Sequence, residues 1–214
     1  MYHYEYASRA QRRKPRQTVE KLIHKVQREL KSEFTFSYRF EGSDRLNLVT
    51  YDPSTNCGFD FDVNIEPNYD DDIYSPKDLK MMLMSAFNEF AEDYGFDYCE
   101  DSTRVFTIKV KDRCNSRILW SCDFAIVNNY YDDRDDRHQE ILVNNKRQGT
   151  YEWQDQPDDF YDFYYRVDQI KETGLWQEAR ELYLEKKNNN WNPNKTSRSM
   201  RTEAVFEVYQ RHFD

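Results

Sequence analysis

Gly58-Phe59-Asp60-Phe61-Asp62-Val63-Asn64-Ile65 alternates without a break. Read as a β-strand, it places Phe59, Phe61, Val63 and Ile65 on one face and Asp60, Asp62 and Asn64 on the other. The apolar face can pack on helices, and the opposite face then carries two carboxylates about 6.6 Å apart along the strand. That spacing lets both acids converge on one cation or on two neighbouring ones. Carboxylates on a sheet face add nothing to a core or to strand pairing, so a chemical role is the natural explanation.

Working outward, Asp52 to Gly58 is turn chemistry before this strand. Phe34, Phe36, Tyr38 and Phe40 alternate in an earlier strand that runs into Glu41-Gly42-Ser43. Residues 44–51 fit neither period. On the far side, Glu66 to Tyr74 is a polar loop containing Asp70-Asp71-Asp72, a triplet that reads as a solvated loop. Ser75-Pro76-Lys77-Asp78 is a helix start with a cap, a proline at the first position and an acid at the third. The helix it opens ends at Gly95. Arg104 to Val110 and Arg117 to Val127 are two further strands. The second puts Ile118, Trp120, Cys122, Phe124 and Ile126 on one face. Asp123 lies on the other, between Ser121 and Ala125. An unpaired carboxylate in a strand of this kind is costly and needs a cation, donors or solvent.

The flanks are helical. Val19, Leu22, Ile23, Val26 and Leu30 are spaced as a helix over Gln17 to Lys31, with Thr18 as its N-cap. Residues 1–16 end in Arg9-Ala10-Gln11-Arg12-Arg13-Lys14-Pro15-Arg16, a basic stretch read as a solvated arm and a candidate hook for RNA or triphosphate. Glu140 to Trp153 forms a hairpin. Asp132 to Asp136 lacks the glycine and terminal glutamate of a calcium loop. Residues 158–187 are two helices broken near Gly174, and Thr196 to His212 a last one. The expected organisation is a basic arm over 1–16, an α+β core over 17–155 and helices over 156–214 packed on it.

Bulk composition narrows the function classes. The chain has 214 residues, 38% hydrophobic, 33% charged and 16% aromatic, which describes a folded protein with a ring-rich core. Five glycines leave no glycine-rich phosphate loop. A net charge of −9 repels nucleic-acid backbones, so any such contact needs a local basic patch or bound metal. Cys57, Cys99, Cys114 and Cys122 form no CxxC pair and read as reduced thiols. With no long apolar run and no signal-peptide pattern, a cytoplasmic location is expected.

Three features follow one another in a definite order: Phe40-Glu41-Gly42-Ser43, then Phe59-Asp60-Phe61-Asp62-Val63, then Ser121-Cys122-Asp123-Phe124-Ala125. Over residues 17–127 this resembles the nucleotidyltransferase fold, in its template-independent branch related to oligoadenylate and cyclic-dinucleotide synthases. The resemblance implies an α+β fold with a mixed sheet, a short helical C-terminal part, and transfer of NMP from an NTP such as ATP to a hydroxyl, with release of pyrophosphate. It implies that Asp60, Asp62 and Asp123 are catalytic and hold Mg²⁺ or Mn²⁺, and that Gly42, Ser43 and Arg45 bind the phosphates. The acceptor stays open among a nucleotide, an RNA end, and a protein or small-molecule hydroxyl. Asp44 departs from the pattern, since it brings an acid to a phosphate site; Arg45 or Arg39 would offset it. The alternative is a non-catalytic acidic binding or regulatory protein, either an inactive relative or a mimic of nucleic-acid charge.

Overall fold

The computed structural model describes residues 3–55, 58–156 and 159–213, and side chains within these except at 159–161. Asn56 and Cys57 of the expected turn lie outside the described residues. The elements run β1 (Glu5–Tyr6), α1 (Arg9–Glu29), β2 (Thr35–Glu41), α2 (Gly42–Arg45), β3 (Thr50–Tyr51), β4 (Phe59–Asn68), α3 (Pro76–Ala91) and β5 (Glu100–Asp101). They continue with β6 (Phe106–Asp112), β7 (Arg117–Tyr131), β8 (Arg137–Asn145), β9 (Thr150–Asp155), α4 (Asp159–Glu172), α5 (Trp176–Asn188) and α6 (Ser197–Phe213). The described residues of 7–50 and 56–156 form one compact unit, and those of 1–6, 51–55 and 157–214 a second.

In the first unit the sheet order is β2-β4-β7-β6-β5, with β8 pairing β7 and β9. β4 and β7 are parallel and the other pairs antiparallel. This mixed sheet with helices is the α+β architecture expected. The alternation in β4 does what its pattern dictates: Phe61, Val63 and Ile65 are fully buried. They share a core with Phe40 of β2, Cys122 and Phe124 of β7, and Phe106 and Ile108 of β6. Helices α1 and α3 cover this apolar face through Leu22, Ile23 and Val26 and through Leu79, Leu83 and Phe87. Phe87 meets Phe124 at 4.6 Å between ring centroids, and Phe106 stacks on Phe124 at 5.0 Å. Rings of this size supply a core that a 38% hydrophobic chain would otherwise lack.

Helix α3 starts as expected, with a reciprocal capping box between Ser75 and Asp78, and the chain leaves its last turn through Gly95 at φ +80°. The expectation for α1 needs correction. The helix begins at Arg9 and not Gln17, and its cap is Ser8, whose hydroxyl accepts from the Gln11 N–H while the Gln11 side chain accepts from the Ser8 N–H. Thr18 is inside the helix and donates to the Lys14 carbonyl at 3.0 Å. Arg9 to Arg16 are thus two helical turns and not a loose arm. The polar capping box and a buried Arg12 hold a stretch that has no apolar stripe and contains Pro15.

In the second unit α4 and α5 are separated by Gly174 at φ +78°, and α6 follows. Ile170, Ala179, Tyr183, Val205 and Val208 are buried there, and Arg166 lies 3.9 Å over the Phe206 ring. No described helix is long and apolar enough to cross a membrane.

Candidate active site

The polar face of the sheet carries the acids, and strand register decides how they meet. Asp62 of β4 is the partner of Asp123 of β7 on one side and of Glu41 of β2 on the other. Asp123 is in turn the partner of Thr107 on β6. Glu41, Asp62, Asp123 and Thr107 therefore make one row across four strands. The neighbouring row contains Asp60, Ser121 and Lys109. The sequence separates Asp62 from Asp123 by sixty positions, and the parallel pairing of β4 with β7 brings them side by side.

Asp60 is exposed, while Asp62 and Asp123 are half-buried. Asp60 accepts a short hydrogen bond from the Ser121 hydroxyl. Asp123 accepts from the Thr107 hydroxyl at 2.6 Å. Burial pushes the Asp123 carboxyl up to about 6, against the pull of that hydroxyl, and the charges of Asp60 and Asp62 push it the same way. The three carboxylates do not bring one oxygen each within 4.8 Å of one another; among the described residues only Asp70, Asp71 and Asp72 do. That triplet is exposed and follows the far end of β4, about 26 Å of strand away from Asp60, so it is a separate solvated turn as expected. Asp60, Asp62 and Asp123 share one face of two adjacent parallel strands. They fit a divalent cation by chemistry: all donors are carboxylate oxygens, the kind Mg²⁺ and Mn²⁺ take, and the half-buried Asp123 is set where added positive charge would relieve it.

The turn after β2 closes on this row. Gly42 has φ +61°, and a Cβ placed on it would lie 1.9 Å from Asp62 Oδ2. Only glycine fits between the turn and that carboxylate. Ser43 follows, and its carbonyl accepts from the Leu48 N–H at 2.7 Å, folding residues 43–48 back on themselves. Leu46, Leu48 and Val49, which match neither period in sequence, are buried.

The counter-charges differ from expectation. Asp44 is not offset by Arg45 or Arg39. It pairs with Arg12 at 2.5 Å and with Arg16 at 3.5 Å, both from α1. Arg45 instead grips Glu41 with one nitrogen at 3.2 and 2.9 Å from its two oxygens, and Arg39 lies 4.0 Å from the same carboxylate. The reason is geometric: Glu41 sits one helical turn before Arg45, whereas Asp44 faces the start of α1. Sequence reasoning quotes Glu41, Ser121 and Arg12 only within longer stretches and assigns neither them nor Thr107 the partners they have here. Thr107 and Ser121 carried a signal, since each is the polar member of an alternating strand.

No protein-family model matches the chain, and no curated protein matches it in sequence. Solved structures do. The STING-associated CdnE c-di-GMP synthase from Capnocytophaga granulosa aligns over 98% of this chain at 19% identity with a TM-score of 0.60. Vibrio cholerae DncV, in its 3'-deoxy ATP bound form, aligns over 98% at 15% identity, again with a TM-score of 0.60. This is a nucleotidyltransferase fold. The Bradyrhizobium diazoefficiens CD-NTase CdnG, in complex with GTP, aligns over 73% at 17% identity with a TM-score of 0.50. The nucleotidyltransferase-fold chain described here spans 64%, 54% and 40% of the lengths of these three structures. At such identities the likeness establishes the fold.

Proposed function

We propose that the chain is a metal-dependent nucleotidyltransferase that moves NMP from an NTP to a hydroxyl acceptor. The observation that carries this reading is the row of Asp62 beside Asp123, with Asp60 on the same face and Gly42-Ser43 closing over Asp62. In the reaction the acceptor hydroxyl gives up its proton to solvent as its oxygen attacks the α-phosphorus, the bond from the α-phosphorus to the bridging oxygen breaks, and pyrophosphate leaves. A divalent cation, when bound, supplies neutralisation of the triphosphate and a more acidic acceptor hydroxyl. Asp60, Asp62 and Asp123 are the residues that would hold it. Gly42 lets backbone approach the phosphates, the Ser43 hydroxyl donates to them, and Arg45 can exchange Glu41 for a phosphate oxygen.

Vibrio cholerae DncV is bound to 3'-deoxy ATP, the Bradyrhizobium CdnG to GTP, and the Capnocytophaga CdnE is a c-di-GMP synthase, which supports an NTP as substrate here. The acceptor is a nucleotide, an RNA end or another hydroxyl. Arg9, Arg13 and Lys14 are exposed on the first turns of α1 and are the cations an RNA acceptor would meet. The fold and this chemistry fit a cytoplasmic enzyme supplied with NTPs. The test is pyrophosphate release from each NTP with Mg²⁺ or Mn²⁺. Loss of release in Asp60→Asn and Asp62→Asn supports the reading. Release unchanged in both overturns it and leaves an acidic binding protein on this fold.

A further inference from the structure

The start of α1 holds an arginine that the reaction chemistry does not require. Arg12 is 6% exposed, and its guanidinium has three separate acceptors. Its Nε donates to the Ala7 carbonyl at 3.2 Å, one terminal nitrogen to Asp44 Oδ1 at 2.5 Å, and the other to Asn47 Oδ1. Asp44 and Asn47 bracket the turn that follows Gly42-Ser43. Asn47 has φ +57°, a backbone state that a side-chain partner helps to hold. The Ala7 N–H also donates to the Val49 carbonyl at 2.9 Å, so the same turn is tied to the chain just before α1 a second time.

We infer that Arg12 is a positioning residue: it sets the Gly42-Ser43 turn against Asp62 by clamping Asp44 and Asn47 to the start of α1. The planar guanidinium suits this, because its donors diverge in a fixed fork and reach three acceptors at once. Lysine, with one ammonium, cannot span them. The clamp also accounts for the acid next to the proposed phosphate site. Asp44, 6% exposed at its side chain, spends its charge on Arg12 and Arg16 and so does not face an incoming triphosphate bare. The consequence for phosphate binding rests on the transferase reading; the clamp itself does not.

Two readouts separate them. The first is backbone hydrogen exchange at residues 43–48 in the full chain, with Arg12→Gln, Asp44→Asn and the double variant, each shown to be folded by circular dichroism. Exchange there rises about tenfold in either single variant, and the double variant falls well short of the two effects combined, because both remove the Arg12–Asp44 link. Arg28→Gln, at the other end of α1, leaves it unchanged. The second is binding and turnover of Mg²⁺–NTP. The dissociation constant and KM for NTP rise about tenfold or more in Arg12→Gln, kcat changes less, and Arg12→Lys recovers only part of the loss. Wild-type exchange at 43–48 in both single variants, or losses that add in the double variant, overturns the clamp. Faster exchange with unchanged NTP affinity overturns its bearing on phosphate. Asp62→Asn with undiminished turnover overturns the transferase reading alone, and the exchange result still stands.

Discussion

Asp62 and Asp123 are register partners on parallel strands, and Asp60 shares their face of the sheet. A single carboxylate of such a set can be tested by making it neutral without changing its shape. Asp62→Asn keeps the volume and the strand, so the fold should survive, while on the transferase reading an oxygen proposed to hold the cation loses its charge. Turnover falls by on the order of a hundredfold or more, with the unfolding midpoint moving little. Steady-state pyrophosphate release and a thermal melt on the same preparation measure both. Equal losses of fold and activity would assign Asp62 a structural part only.

The raised titration of Asp123 makes a prediction about stability. Its carboxyl goes from the ordinary 3.8 to about 6 in the folded chain. Between those values the folded state holds a proton that the unfolded state has lost. Stability contributed by this group therefore declines as pH rises from about 4 to about 6, and stays lower above that. About two pH units correspond to at most roughly 3 kcal/mol for this half-buried group, less what solvent screens. Asp123→Asn removes the dependence and keeps the acceptor for Thr107. In metal-free buffer the variant is accordingly more stable than the wild type at pH 7.5, by up to about 3 kcal/mol, and level with it near pH 4. Urea unfolding at three pH values decides; parallel curves would contradict the assignment.

Much of this arrangement is legible in the chain itself, for a specific reason. β4 alternates strictly, and strict alternation leaves one answer for which face is buried, so the placement of Asp60 and Asp62 follows from period alone. Asp123 is legible differently: β7 is largely apolar on both faces around it, and a lone carboxylate there asks for a cation, donors or solvent. What the pattern does not contain is partner choice. Nothing local says that Glu41 takes Arg45, that Asp44 takes Arg12, or that Thr107 lies beside Asp123, because those depend on strand order and on where α1 begins. The start of α1 was misread for the same reason: residues 9–16 have no apolar period, and Pro15 argues against a helix. Ser8, Gln11 and Arg12 override that through hydrogen bonds, two of them to a turn some thirty residues away.

Gly42 gives a sharper test of how the turn and the acid row fit together. Gly42→Ala combines a φ of +61° with a methyl 1.9 Å from Asp62 Oδ2 and 2.7 Å from its Cγ. The backbone cost alone is about 1 kcal/mol, and the clash adds to it unless Asp62 swings away. On the transferase reading, activity falls by at least the loss seen in Asp62→Asn, because the same carboxylate is displaced. Gly149→Ala is the control, since its φ of +68° carries a similar backbone cost with nothing within 4 Å of the added methyl. If both alanine variants behaved alike, backbone strain would account for the whole effect and the contact with Asp62 for none of it.

Thr107 is the uncharged member of the row, and its removal tests how the row is tuned. Its hydroxyl donates to Asp123 and pulls the carboxyl down against burial. Thr107→Val keeps the shape and deletes the donor, so the Asp123 carboxyl rises above about 6 and its ionised form loses a charge-assisted bond worth roughly 1.5–3 kcal/mol. That cost appears only where Asp123 is ionised. The variant is therefore destabilised relative to wild type at pH 7.5 and much less so at pH 5, the opposite sense to Asp123→Asn. On the transferase reading, Mn²⁺ affinity at pH 7.5 also drops about 10- to 100-fold, as is usual when a ligand loses its outer hydrogen-bond partner. Calorimetric Mn²⁺ titration and paired urea melts check both parts. A loss of stability of the same size at both pH values would mean that the hydroxyl is a packing element of β6 and does not tune the carboxylate.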